Sequence, residues 1–173
     1  GGILRGSSRA AVRVPSTSTL TIEGSGTLRA TGSVGLNVSD SIARGGGGAG
    51  IGGNGCFATG SYSEAESCGN ITINGGTIYA TGGNAGGYHG YGAAGIGGGG
   101  AGYYVMNPSG GNAGTVIING GTVHSVGGTR SNAADTAGYA IGGGAGSTYG
   151  TITSFSINVG IVYATSNGNK APY

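Results

Sequence analysis

Tryptophan is absent from this 173-residue chain, and only twelve side chains carry formal charge, seven Lys or Arg and five Asp or Glu. So sparse a charge excludes a nucleic-acid footprint, which needs clustered basic residues to displace condensed counterions. The net charge is +2, four of the arginines (5, 9, 13 and 29) fall early, and Lys170 is the single lysine. No apolar run approaches the roughly 18 residues of a membrane-spanning helix. Proline occurs three times and Gly does not recur every third residue, which excludes a collagen helix. Cysteine occurs twice, at Cys56 and Cys68 within "GCFATGSYSEAESCG". Two Cys without further Cys or nearby His cannot complete a zinc tetrahedron. Their spacing is read as a disulfide closing a loop, as in an extracellular protein, with two free thiols in a loop as the bland alternative. No signal peptide is visible, and the start "GGILRGSS", without Met, reads as a mature or excerpted segment of something larger.

Catalytic constellations are equally scarce. The acids Glu23, Asp40, Glu64, Glu66 and Asp135 form no pair that recurs at equivalent positions, and His89 and His124 lie in different elements. Runs such as "GGGGAG" are not phosphate loops, because no G-K-[ST] follows. Calcium-binding repeats would show periodic Asp, and none is present. The chain therefore reads as non-catalytic, with no cofactor and no metal. Asn37-Val-Ser and Asn70-Ile-Thr match the glycosylation acceptor pattern, a signal that depends on the host.

What is abundant is glycine, 46 residues against an average usage of about 7%. Gly-rich chains are often disordered. Here 36% hydrophobic content, short β-branched runs and the lack of like-charge blocks argue for order. The order is periodic. "GIGG" at 50–53 and 95–98 and "AIGG" at 140–143 place Ile51, Ile96 and Ile141 at intervals of 45. "ITINGGTIYATGG" (71–83) returns as "VIINGGTVHSVGG" (116–128), again after 45, with fainter copies in "LTIEGSGTLRATG" (20–32) and "ITSFSINVGIVYATS" (152–166). Four units result, at about 10–45, 46–90, 91–135 and 136–166, with a tail at 167–173.

Each unit holds three short β-branched stretches, two of them alternating, and no stretch has helical periodicity. A unit this small cannot close a core alone, so successive units must stack and bury a continuous interior. The fold class is therefore all-β: a right-handed parallel β-helix of about four coils, three short strands per coil, in one Gly-rich domain with long loops. Ile71, Ile73, Ile78, Ala80, Val116, Ile118, Val123 and Ser125 are expected to face inward. A sandwich of polyproline II-like polyglycine helices is the second architecture, with runs such as "RGGGGAGIGG" at its centre.

Aligned third strands expose an outward column of Arg29, Tyr79, His124 and Tyr163. Thr27, Thr77, Thr122 and Ile161 flank it on one side, and Thr31, Thr81, Val126 and Thr165 on the other. Such a strip could stack sugar rings through CH–π contacts and bond their hydroxyls, although Thr and Tyr are also ordinary strand-surface formers. The Tyr-rich loops, with Tyr88, His89, Tyr91, Tyr103 and Tyr104, have the composition of adaptable recognition loops. The competing reading folds those rings over the Gly-rich wall. Asn74, Asn119 and Asn158, with Glu23 in the first unit, are structural corners whose amides bond along the stack.

The phrases "AGIGG", "ITINGGTIYATGG" and "LTIEGSGTLRATG" resemble the Gly-rich repeats of large secreted or wall-attached proteins of Gram-positive anaerobes. The resemblance covers roughly residues 10 to 166. It implies a carbohydrate-binding-domain-like β-helix at the cell surface. Members implicated in polysaccharide binding carry acidic calcium sites, which this chain does not match, so no ligand residue is carried over. The Gly-rich tail-fibre adhesins of some phages share only the Gly-rich character. Together these observations lead to an extracellular or cell-surface adhesion module with a glycan or surface polymer as partner. The rival is a structural subunit whose uncapped coil ends pair into a homo-oligomeric filament or lattice; ice binding, from the Thr columns, is a distant third.

Overall fold

Alternating β-branched residues form short strands, and a computed structural model places twelve of them among residues 8–36, 45–56, 64–86, 90–102, 107–129 and 137–167, the residues it describes. In chain order these are β1 (Val12–Arg13), β2 (Thr19–Ile22), β3 (Thr27–Thr31), β4 (Ile51–Gly52), β5 (Asn70–Ile73) and β6 (Thr77–Thr81). They continue as β7 (Ile96–Gly97), β8 (Ala113–Ile118), β9 (Thr122–Val126), β10 (Ile141–Gly142), β11 (Ile152–Ile157) and β12 (Ile161–Thr165). Every third strand joins the same sheet, giving three four-stranded ladders ordered β1-β4-β7-β10, β2-β5-β8-β11 and β3-β6-β9-β12. All ladder pairings are parallel. This is a parallel β-helix of about four coils with three strands per coil. Among the described residues no helix is long and apolar enough to cross a membrane.

Register turns the sequence repeat into columns. Val12, Ile51, Ile96 and Ile141 stack in the first sheet, and Leu20, Ile71, Val116 and Phe155 in the second. Leu28, Ile78, Val123 and Val162 stack in the third. Ile51, Ile71, Ile73, Ile78, Ile96, Ile118 and Ile141 are fully buried. Each contributes about 1.5–3 kcal/mol relative to an exposed side chain. Ser125 is the polar member of this interior. Its hydroxyl donates to the Ala140 carbonyl at 2.6 Å, so its burial leaves no donor unpaired.

Outside the strands the Gly-rich runs obey a different period. Gly45 and Gly48 donate to Leu36 and Ser33, Gly46 and Ala49 to Cys56 and Gly53, and Gly47 and Gly50 to Tyr91 and Ala94. Each neighbour is revisited after three residues, the period of a polyproline II-type helix, rather than after the two of a strand. Segment 82–86 does the same: Gly82 and Ala85 donate to Val126 and Thr129, while Gly83 and Gly86 donate to Gly48 and Gly45. Polyglycine packing of this kind therefore adjoins the β-helix, and the two architectures that compete in the sequence occupy different parts of one chain.

Glycine is required there by close approach. A Cβ on Gly46 would press into the Gly100 carbonyl oxygen, one on Gly99 into that of Asn54, and one on Gly144 into that of Gly99. Backbone atoms cannot yield as a flexible side chain does. Gly99→Ala should therefore cost about 1–3 kcal/mol or more by chemical denaturation. Gly26→Ala, where no atom lies within 4 Å of the new Cβ, should stay within about 0.5 kcal/mol of wild type.

Candidate functional site

Strands β3, β6, β9 and β12 carry one outward residue each at the same register, Arg29, Tyr79, His124 and Tyr163. The column forms as an unbroken stack. The Arg29 guanidinium carbon lies 4.0 Å from the Tyr79 ring centre. Tyr79 and His124 are 4.7 Å apart at 8° between planes, and His124 and Tyr163 are 4.6 Å apart at 11°. These separations match the spacing of neighbouring strands, about 4.8 Å. Rings lying flat on the sheet would collide at that distance, so their faces turn along the stack and their edges turn outward. The column thus differs from a platform for sugar faces. The inner ring faces are occupied by one another, and hydroxyls, imidazole nitrogen and guanidinium are what a ligand meets. Thr27, Thr77 and Thr122 run beside it in register on one side, and Thr31, Thr81 and Thr165 on the other.

The corners form a second ladder. Asn158 Nδ2 donates to Asn119 Oδ1 at 2.7 Å, Asn119 Nδ2 to Asn74 Oδ1 at 2.9 Å, and Asn74 Nδ2 to Glu23 Oε1 at 3.1 Å. An ionised carboxylate only accepts. Glu23 therefore sets the polarity of the ladder, with every Nδ2 directed toward the first coil. Gly76 and Gly121, two residues after Asn74 and Asn119, adopt φ of +83° and +85°, which explains the fixed N-G-G.

The loop tyrosines divide. Tyr91 is buried against Ala101 and Ala145, with Tyr149 packed on the cluster, and its hydroxyl lies 3.0 Å from Ser147 Oγ. It belongs to the packing of the Gly-rich wall rather than to an exposed recognition surface. Tyr139 and Tyr149 meet edge to face at 5.5 Å. Tyr88, His89, Tyr103 and Tyr104 lie outside the described residues.

The disulfide reading is corrected. Cys56 and Cys68 are both buried and no bond joins them. Each sits in its own hydrogen-bonded layer: Cys56 N–H donates to Gly100 and Cys68 N–H to Asn112. Burial pushes the Cys68 thiol up to about 12, so it stays protonated and unreactive near neutrality.

Two features had no signal in the repeat. One is the ion pair of Arg13 with Glu66, in which Arg13 Nε donates to both carboxylate oxygens at 3.0 Å. The other is a polar cleft of about 400 Å³ lined by Glu64, Ser67, Ser109, Asn112, Thr148 and Tyr149, among others. Glu66 and the cleft residues lie in loops whose sequences differ from unit to unit, and Arg13 of β1 stands where the later coils have Gly52, Gly97 and Gly142, so no copy flags them. The loops are nonetheless held in register, Asn112 N–H donating to Ser67 Oγ and Thr151 N–H to Asn112 Oδ1.

Among the described residues no group of three or more His, Cys, Asp or Glu side chains gathers. Comparison with protein-family models, with curated proteins and with solved structures gave no match.

Hydrogen bonding from Arg13 holds the Glu66 carboxyl below the ordinary carboxylate range; burial opposes this and the Asn54 N–H bond adds to it. A depressed folded value means that the stabilisation is complete above the unfolded value of about 4.3 and is lost as pH falls through the folded value. Melting temperatures recorded from neutral to strongly acid pH should therefore fall less steeply in Glu66→Gln than in wild type.

Proposed function

We propose that the chain is a non-catalytic, extracellular surface module that binds extended glycans along the face of β3, β6, β9 and β12. The observation that carries this reading is the continuous Arg29–Tyr79–His124–Tyr163 column with Thr rows beside it. A polymer chain laid along the stack would meet a donor or acceptor at every coil, at intervals of about 4.8 Å. The side chains are already immobilised by one another, so little rotamer entropy remains to be lost on binding. Arg29 and Tyr163, at the two ends of the column, have faces open for CH–π or cation-assisted contact. The resemblance of the repeats to those of large secreted or wall-attached proteins, some of whose relatives are carbohydrate-binding, favours the same placement at a cell surface. A second reading, self-association through the coil ends, is favoured by the apolar side chains exposed in the last coil.

A glycan array separates strip from scaffold. Wild-type protein should bind extended polysaccharides better than short oligosaccharides. Tyr79→Ala and His124→Ala should each weaken binding about tenfold, the worth of roughly 1.4 kcal/mol of lost contact and order. Unchanged binding by both variants would remove the strip as the site, and no glycan bound by wild type would remove the reading itself.

A further inference from the structure

Four Asn-Gly pairs occur in the chain, at 54–55, 74–75, 119–120 and 167–168, the last reaching a residue outside the described ones. Asparagine is thermolabile, and a following glycine makes it more so. With no Cβ to shield it, the glycine peptide nitrogen can attack the asparagine side-chain carbonyl. Two conditions govern whether a folded chain permits this attack. The nitrogen must not be held by an acceptor, and the side chain must be able to leave its own partners.

These conditions separate the three described pairs. At Asn54 both fail: Gly55 N–H donates to the Ser8 carbonyl at 2.6 Å, and Asn54 Oδ1 accepts from Ala10 N–H at 2.9 Å. Asn74 and Asn119 stand exposed at their corners, and among the described residues neither Gly75 N–H nor Gly120 N–H finds an acceptor. The two differ in what holds the side chain. Asn74 Nδ2 is bonded to the Glu23 carboxylate at 3.1 Å, and a hydrogen bond to a charged group is roughly twice as strong as a neutral one. Asn119 is held by neutral amides, those of Asn74 on one side and Asn158 on the other. Charge widens the difference. Attack at Asn74 develops negative charge beside a carboxylate, and its product would set a second carboxylate against Glu23. At Asn119 both bonded side chains are amides, and Asn158 Nδ2 donates to the oxygen on which the charge develops, at 2.7 Å.

We propose that Asn119 is a modification site, the residue at which the folded chain deamidates first among the described pairs. Gly120 N loses its proton and bonds to Asn119 Cγ. The Cγ–Nδ2 bond breaks, and the amide nitrogen leaves with that proton as ammonia. Water then opens the five-membered imide. Cleavage at Cγ restores the main chain with Asp in place of Asn, whereas cleavage at the residue 119 carbonyl carbon gives isoaspartate, with the main chain routed through Cβ. A carboxylate only accepts, so the bond to Asn74 Oδ1 is lost and the ladder is cut between the second and third coils. Isoaspartate also lengthens the corner by one backbone atom, immediately ahead of β9 and its His124.

Peptide mapping by mass spectrometry, after prolonged incubation of the 173-residue chain in mildly alkaline buffer, follows each pair separately. Asn119 should convert about tenfold faster than Asn74, the ratio set by the roughly 1.4 kcal/mol between charged and neutral hydrogen bonds. Asn54 should be slowest. Glu23→Ala should bring Asn74 up to the Asn119 rate, with Asn54 still slow as the sign that the variant is folded. In concentrated urea, where no ladder holds them, the three should convert at similar rates. An Asn119 that stays intact in the folded chain overturns the proposal, as does conversion led by Asn74 or Asn54. So does a preference for Asn119 that persists in urea, or a folded Glu23→Ala chain in which Asn74 remains slow.

Discussion

Backbone lying directly on backbone is the constraint from which the rest of this structure follows. In the Gly-rich runs, carbonyl oxygens of neighbouring segments occupy the space where a Cβ would stand, as for Gly46 against Gly100 and Gly99 against Asn54. That proximity lets each extended segment bond to three neighbours at once, with a three-residue period. A chain this poor in large side chains cannot rely on apolar burial alone. Hydrogen bonds between packed segments satisfy backbone groups that would otherwise be buried unpaired. The aliphatic core of the β-helix lies beside this array, and both share the same coil-to-coil translation.

That translation governs the surface too. Because every coil lies one strand spacing from the next, any residue type repeated in register becomes a column. Outward aromatics become a ring stack, and corner amides become a ladder. The two differ in what the repeat costs. Stacked rings satisfy one another without direction, so Arg29 can replace a ring at one end. An amide ladder is directional, and one acceptor-only group, Glu23, orients all three asparagines.

The direction of that ladder makes the first and last described coils chemically different. The first coil ends in a carboxylate, an arginine and threonines, and the last in an amide with spare donor and acceptor and an apolar corner.

Much of this was legible before any coordinate. The 45-residue period, the alternation in "ITI" and "TIYAT" and the fixed N-G-G were enough for the all-β coil, the inward set from Ile71 to Ser125, and the alignment of Tyr79 with His124. Each is a local or periodic property, and stacking obliges identical phrases to coincide. Tertiary structure alone decided the rest. It left Cys56 and Cys68 unjoined in separate layers, and it turned the ring faces along the column, because strand spacing is too short for rings to lie flat. It buried Tyr91, paired Arg13 with Glu66 across 53 residues, and opened the corner at Val159. These depend on which unlike segments meet, and a repeat carries no information about the places where its copies differ.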